Sequence, residues 1–199
     1  MFPFIETIKI WNGEVKNLPF HQARFNRTRN EMLGLTSHPA LSKEIIIPTH
    51  ARNGLFKCRI LYDHQVTGVE FQPYERAEIR SLKLIDGGQV SYPYKSTDRS
   101  ALTALYDQRD SCDDILILKD GRITDSYFAN VVFWNGSNWV TPEFPLLEGT
   151  MRAFLLGKGI IKTAGIRIKD LSGFKSLKLI NALNDWSDAP HIPVESVTW

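Results

Sequence analysis

The stretch from Ser91 to Leu105, SYPYKSTDRSALTAL, changes character at its one lysine. Val90, Tyr92 and Tyr94 before it alternate as a strand does. A Ser-Thr-Asp cluster comes next, and Ala101, Leu102, Ala104 and Leu105 then share one face of a helix predicted from Ser100 to Gln108. Lys95 at such a junction has two readings. A lysine after a strand ordinarily lays its stem on the surface and keeps its charge in water. Aimed into a protected pocket instead, it is a nucleophile, because desolvation lowers the amine pKa and opens Schiff-base chemistry with an aldehyde cofactor or a carbonyl substrate.

Upstream, FIETIKI (4–10) alternates apolar and polar as a strand, and Asn12-Gly13 is a strong hairpin signal. From Leu18 the spacing of Phe20, Ala23, Met32, Leu33 and Leu35 predicts a helix ending near Gly34. FKCRILYD (56–63) and VTGVEFQPY (66–74) read as a hairpin, and AEIRSLKLID (77–86) as a further strand. Asp86-Gly87-Gly88-Gln89 is the best linker candidate, so the chain is divided into a small α/β domain, 1–86, and a larger β-rich α/β domain, 87–199. Downstream, DILILKDGRITDSYFANVVFW reads as a β-meander turning at Asp120-Gly121. GTMRAFLLGKGIIKTAG (149–165) reads as a helix opened by Gly149-Thr150, and IRIKDL, LKLINAL and PHIPVESV as short strands and a terminal turn. The fold class is therefore α/β (α+β), in two lobes.

Composition removes several function classes. The 199 residues are 43% hydrophobic and 23% charged, ordinary for a chain that folds around a sizeable core. A formal charge of +2 without a basic run gives no footprint for nucleic acid or an anionic membrane, and neither partner is expected. Cys58 and Cys112 form neither a disulfide framework nor a metal-ligand spacing, so no metal is assigned. The start, MFPFIETIKIW, lacks the basic region and long apolar run of a leader or membrane anchor, and a cytoplasmic protein is expected.

A Schiff-base lysine serving pyridoxal phosphate needs companions: an anion site for the phosphate, an acid facing the pyridine nitrogen, and a group orienting the ring. Gly149-Thr150 at a helix start supplies backbone N–H groups and a hydroxyl for a phosphate, or else is a plain cap. Asp125 is either the acid that keeps the pyridine protonated or an edge-strand aspartate. His21 and Arg24 lie three apart on one helical face. Arg24 either meets a phosphate with its fork or is a surface residue.

The ordered series FIET, NG, HQARFNRTR, FKCRILYD, YKSTDRSALTAL, GRITDSYFANVVFW, LLEGTMRAFLL and LKLINAL resembles the class IV, or fold-type IV, pyridoxal-phosphate enzymes, over essentially the whole chain from Phe4 to Pro193. That family includes branched-chain and D-amino-acid aminotransferases and 4-amino-4-deoxychorismate lyase. The resemblance implies a cofactor between the two lobes and Lys95 as the catalytic residue. It implies phosphate contacts from Arg24, Gly149 and Thr150, and cofactor contacts from Asp125 and Asn130. Asp125 departs from the family's usual glutamate and reaches about one methylene less far. Arg59 corresponds to an arginine that binds substrate carboxylate. Arg99, four residues after the lysine, resembles the lyase spacing, and Asn181 matches the asparagine of a late Asn-Ala-Leu motif near the cofactor; both are assigned with Arg59 to the substrate. Family members carry some twenty to thirty residues before the Phe-x-x-Thr strand, at which this sequence almost begins, so a more open pocket, or one completed by the partner of a homodimer, is expected. The resemblance implies a small, amino-acid-like substrate. A lyase that removes the α-proton and eliminates pyruvate is the expected enzyme. The alternatives are an aminotransferase for branched-chain or D-amino acids and a non-catalytic cofactor-binding or regulatory relative.

Overall fold

The computed structural model describes residues 3–199; Met1 and Phe2, which belong to the leader reading, lie outside them. The chain forms two compact units, one made of residues up to Arg76 plus Tyr94–Asp98, the other of Ala77–Pro93 plus Arg99–Trp199. The sequence division at 86/87 falls inside the second unit, for a reason visible in its sheet. The strand Leu82–Asp86 pairs in parallel with Asp114–Lys119, so ladder hydrogen bonds tie it to the later part of the chain and not to the earlier one.

The first unit is a four-stranded sheet carrying one long helix. Strands β1 (Phe4–Trp11) and β2 (Glu14–Val15) form the hairpin expected at Asn12-Gly13, where both turn residues have positive φ, 49° and 78°. That left-handed pair is what a two-residue turn between right-twisted strands requires. Helix α1 (Leu18–Leu33) starts with Pro19 in its first turn and stops at Gly34, whose φ of 67° lets its N–H reach back to the last carbonyls. A one-turn helix α2 (Leu41–Glu44) and a 3₁₀ turn (Thr49–Ala51) lead into β3 (Leu55–Tyr62) and β4 (Val66–Pro73), giving the order β2-β1-β3-β4. Phe56, Cys58, Ile60 and Tyr62 alternate inward on β3 and meet Phe4, Ile8 and Ile10 of β1 and Phe25 of α1 in one core. Glu6 shares the inward parity of those β1 residues.

The second unit is a nine-stranded mixed sheet with helices against it. Its path is β10-β9-β8-β7-β6-β5-β13, with β11 on β8 and β12 on β11. Here β5 is Leu82–Asp86, α3 Ser100–Tyr106, β6 Asp114–Lys119, β7 Arg122–Ser126, β8 Asn130–Trp134, β9 Trp139–Pro142, α4 Thr150–Gly157, β10 Lys162–Ala164, β11 Ser176–Ile180, β12 His191–Pro193 and β13 Val197–Thr198. The meander from β6 to β8 turns at Asp120-Gly121 as the sequence predicts. Both faces are buried, which explains the near-continuous apolar runs. Leu116, Val131, Phe133, Leu177 and Leu179 lie in one core, and Ile115 and Ile117, of opposite parity, lie in another with Leu102 and Tyr92.

Four local expectations are corrected. Val90–Tyr94 is not a strand, because Pro93 cannot donate to a ladder, and it is Ser96, beyond it, that makes an isolated bridge with Phe4. The strand expected over 77–86 begins at Leu82. The helix expected over 149–165 ends at Gly157, and Gly159, with φ 67°, turns the chain into β10. IRIKDL is a 3₁₀ turn, since Asp170 accepts from the Arg167 N–H at 2.8 Å and closes the backbone into a turn. Among the described residues no helix is long and apolar enough to cross a membrane.

Candidate active site

Lys95 sits at the N-terminal half of β1. There β2 no longer pairs, and residues Tyr94–Thr97 occupy the edge. The Ile5 N–H donates to the Lys95 carbonyl at 2.9 Å, the Thr97 N–H to Pro3 O at 2.9 Å, and the Ser96 N–H to Tyr94 O at 2.8 Å. Tyr94 packs edge-on against Phe4 and gives its hydroxyl hydrogen to Glu31. The lysine is thus fixed from both sides by backbone bonds and a ring contact, on a segment with no regular structure of its own.

Next to it is a charge cluster that sequence reading missed. Glu6, fully buried on the core parity of β1, accepts Arg24 Nε at 2.9 Å on one oxygen, and Arg24 Nη2 and His21 Nδ1, both at 2.7 Å, on the other. A carboxylate only accepts, so His21 carries its hydrogen on Nδ1. Burial would raise the Glu6 pKa, but Arg24 and His21 outweigh it and hold the carboxyl at about 2. His21 goes the other way. Burial lowers its proton affinity, the charges of Arg24 and Lys95 lower it further, and Glu6 opposes them without winning. The unit therefore carries a buried carboxylate–guanidinium pair with a neutral imidazole on it, and Lys95 within electrostatic reach. An acidic residue at a core parity, the glutamate in FIETIKI, is the signal from which the cluster was legible.

In the second unit, Asp125, Asn130 and Gly149 interlock. Asp125 accepts Asn130 Nδ2 at 2.7 Å on one oxygen and the Leu147 N–H at 3.0 Å on the other, and Asn130 Nδ2 also donates to Leu147 O at 2.8 Å. Gly149 packs so tightly on that amide that a Cβ would stand 2.0 Å from Asn130 Oδ1, so only glycine fits. Asp125 and Asn130 together hold the loop that delivers the start of α4. Gly149 is its N-cap and provides no side chain to cap the first turn. Burial pushes the Asp125 carboxyl up to about 6 against the pull of Asn130, the Leu147 and Leu146 N–H groups and Arg152. Asp114, which accepts the Ile115 and Tyr127 N–H groups, is likewise raised to about 6 by burial.

The other candidates lie apart from these clusters. Arg99 sits over the rings of Tyr127 (4.5 Å to centroid) and Tyr92 (5.6 Å), and donates Nη2 to Tyr127 O. Arg59 pairs with Glu70 on β4 at 3.1 Å. Asn181 accepts the Leu183 and Asn184 N–H groups at 2.8 and 2.9 Å, the geometry of an Asx turn, and so shapes the loop after β11. The structure brings Lys95 and Arg24 into one unit and Asp125, Asn130, Gly149 and Thr150 into the other.

These shifts give stability an unusual pH profile. Glu6 is depressed in the fold, so its contribution is complete above 4.5, its unfolded value, and is lost as pH falls towards 2. Asp114 and Asp125 are raised from 3.8, so the native state holds their protons more tightly, and that contribution is lost as pH rises through about 6. His21 works the other way, since its native form resists a proton that the unfolded chain accepts below 6.5. Comparing wild type with Asp125→Asn isolates the carboxyl: in urea unfolding of the cofactor-free proteins, the stability of wild type relative to the variant is expected to fall between pH 4.5 and pH 7 by about 1–2 kcal/mol. A relative stability that does not change with pH would contradict the burial-raised carboxyl.

Similarity to known proteins bears on the family and the fold. The family model for "Amino-transferase class IV" matches residues 4–192. An uncharacterized protein of Haemophilus influenzae is 37% identical over 186 residues, covering 92% of this chain and 99% of that one. Among solved structures, a candidate 4-amino-4-deoxychorismate lyase from Haemophilus somnus is 35% identical with TM-score 0.87, covering 93% of this chain and 98% of that one. A hypothetical aminotransferase from Mycobacterium tuberculosis in its PLP-bound form, 16% identical, shares the fold with TM-score 0.78 over 96% of this chain and 80% of that one. By these measures the chain belongs to the class IV aminotransferase family.

Proposed function

We propose that this chain is a pyridoxal-phosphate enzyme acting on a small amino-acid-like substrate, as a lyase of the 4-amino-4-deoxychorismate type. The observation that carries the proposal is Lys95 locked to the free edge of β1 beside the buried Glu6–Arg24–His21 cluster. The residues present fit the cofactor. Arg24 is preset by Glu6, and α4 begins at a glycine too tightly packed for any side chain, so that its first turn presents backbone N–H groups. The Asp125 carboxyl, raised by burial, would gain a favourable interaction from a cation brought to it.

In this reading Arg24, Gly149 and Thr150 hold the phosphate, and Asp125, kept in place by Asn130, holds the proton of the ring nitrogen. When bound, the cofactor supplies the aldehyde that captures the substrate amine and the ring that takes up negative charge from the α-carbon. The Lys95 amine takes the proton from that carbon. Neutral His21 adds no positive charge near the lysine, so the one cation of the cluster is Arg24, which Glu6 balances. The likeness to the candidate 4-amino-4-deoxychorismate lyase of Haemophilus somnus supports elimination over amino transfer. A homodimer in the cytoplasm completes the proposal.

The test is the visible spectrum of protein incubated with pyridoxal phosphate, freed of excess, and challenged with aminodeoxychorismate and with a panel of L- and D-amino acids. An absorption band that aminodeoxychorismate changes, with release of pyruvate and 4-aminobenzoate, is the expected result. A band changed by an amino acid with production of a 2-oxo acid replaces the lyase by an aminotransferase. A band that nothing changes makes the protein a cofactor binder, and no band defeats the proposal.

A further inference from the structure

We propose that Arg99 is a positioning residue for Lys95, fixing on the second unit the ends of the segment that carries the lysine, and is not a ligand of the substrate. The inference rests on the cofactor reading of Lys95 and adds to it what holds the lysine in place.

The chain leaves the second unit after Pro93 and rejoins it at Arg99, and the residues between, Tyr94–Asp98, belong to the first. Lys95 therefore rides on a short excursion. Its middle is hydrogen-bonded to the first unit through the Lys95 carbonyl and the Thr97 N–H. Its ends are held by a different device. The Arg99 guanidinium lies over the Tyr92 ring, 5.6 Å from its centroid, so a residue that follows the lysine meets one that precedes it. Pro93, next to Tyr92, has a fixed φ and restricts the backbone of the residue before it, which leaves this end little freedom.

The same guanidinium reaches the turn that follows Asp125. It lies over the Tyr127 ring at 4.5 Å and donates Nη2 to the Tyr127 carbonyl. Tyr127 stands between β7 and β8, and its place is set without Arg99. Its N–H donates to Asp114 Oδ1 at 3.3 Å, its hydroxyl shares a hydrogen bond with Thr103 Oγ1 at 3.2 Å, and its ring stacks on Tyr106 at 4.3 Å and 22°. Arg109 lies over Tyr106 at 4.0 Å, at the other end of this column of contacts. Tyr127 is thus a fixed post. A planar, delocalised cation is the group that can rest on two rings and still give a hydrogen to a carbonyl.

The helix it precedes gains nothing from an arginine. Arg99 is the N-cap of α3, where a short polar side chain would accept an N–H of the first turn, and its side chain makes no capping bond. A guanidinium has no acceptor with which to make one. Asp98 and Ser100, on either side, are the residue types that suit that place. A local rule set aside at one position, in exchange for contacts with Tyr92 and Tyr127, marks a position that serves a site. An amine that moves a proton works only from the right place, and a displacement of about 1 Å costs on the order of a hundredfold in rate. Arg99 therefore governs rate and not affinity for the substrate.

The experiment compares wild type with Arg99→Met, Arg99→Lys and Arg109→Met, the last removing the cation at the opposite end of the column. Each protein is loaded with pyridoxal phosphate. The measurements are kcat and KM for the compound that changes the wild-type band, aminodeoxychorismate in the reading above, and the pH at which the band itself changes. Arg99→Met is expected to lower kcat by roughly tenfold to a hundredfold, to change KM by less than about threefold and to move the pH of the band. Arg99→Lys, which keeps the charge and loses the plane, is expected to fall between it and wild type. Arg109→Met, whatever its thermal stability, is expected to keep the wild-type kcat and band. A KM raised about tenfold at unchanged kcat in Arg99→Met makes Arg99 a substrate ligand and overturns the inference. So does a rate loss that Arg109→Met shares, because the column then only supports the fold. A readout without cofactor or substrate keeps the two readings apart. The Lys95 charge lowers the proton affinity of His21, so a lysine released from its place raises the His21 pKa, followed by NMR. That rise is expected in both Arg99 variants, including the one that preserves the charge. If wild type shows no band, the cofactor reading fails and this titration alone decides the role of Arg99; an unchanged His21 pKa in both variants overturns it.

Discussion

Lys95→Ala is expected to abolish the visible band of the loaded protein and to reduce turnover by roughly a thousandfold or more, the scale of losing a positioned proton-transfer group together with a covalent attachment point. The fold should tolerate the change. What fixes the segment is the Ile5 N–H on the residue 95 carbonyl, the Thr97 N–H on Pro3 O and the ring of Tyr94 on Phe4, and none of these uses the lysine side chain. Lys95→Arg keeps the charge and still cannot attach the cofactor, so it separates loss of chemistry from loss of a cation. A readout independent of the cofactor exists in His21, whose proton affinity the Lys95 charge lowers. Its pKa, followed by NMR, is expected to rise in Lys95→Ala and to stay in place in Lys95→Arg. A band retained in Lys95→Ala would remove the lysine from the chemistry altogether.

How far the sequence could be read depended on whether a feature was local. Asn12-Gly13 and Asp120-Gly121 announce their turns, because left-handed φ at such positions is a property of those residues themselves. The end of α1 at Gly34 is legible for the same reason. Failures came where distant partners decide. Val90, Tyr92 and Tyr94 carry strand residues, yet Pro93 and the absence of a neighbour to pair with leave them irregular. Apolar residues beyond Gly157 continue a helical pattern, but the turn at Gly159 sends them into the parallel pairing of β10 with β9. In the candidate site, Lys95 and Arg24 were singled out by the motifs around them. Glu6, which presets Arg24, was passed over because a polar residue in an alternating strand looks like its solvent face until the parity of Phe4, Ile8 and Ile10 is counted. The pairing of Arg59 with Glu70 was equally out of reach, since it depends on which residues of β3 and β4 stand opposite each other.

Glu6→Ala is expected to destabilise the protein by about 3–5 kcal/mol, the usual cost of removing one partner from a buried ion pair, because it strands the Arg24 guanidinium and the His21 N–H where water cannot reach them. Glu6→Gln retains the shape and one acceptor oxygen, which can serve His21 or Arg24 but not the fork, and is expected to cost less. The double replacement Glu6→Leu with Arg24→Met removes the charge on both sides and should recover much of the loss, giving a coupling between the sites well beyond the few tenths of a kcal/mol found for independent positions. Stability alone would not show what the pair is for, whereas cofactor affinity does. If Glu6 aims Arg24 at a phosphate, Glu6→Gln weakens binding of pyridoxal phosphate while leaving that of pyridoxal, which has no phosphate, nearly unchanged; the double variant, though well folded, shows the same selective loss. If both ligands weaken together, the pair only supports the sheet. Unchanged affinity for both would mean that the buried charges of β1 and α1 serve the core of the first unit and nothing beyond it.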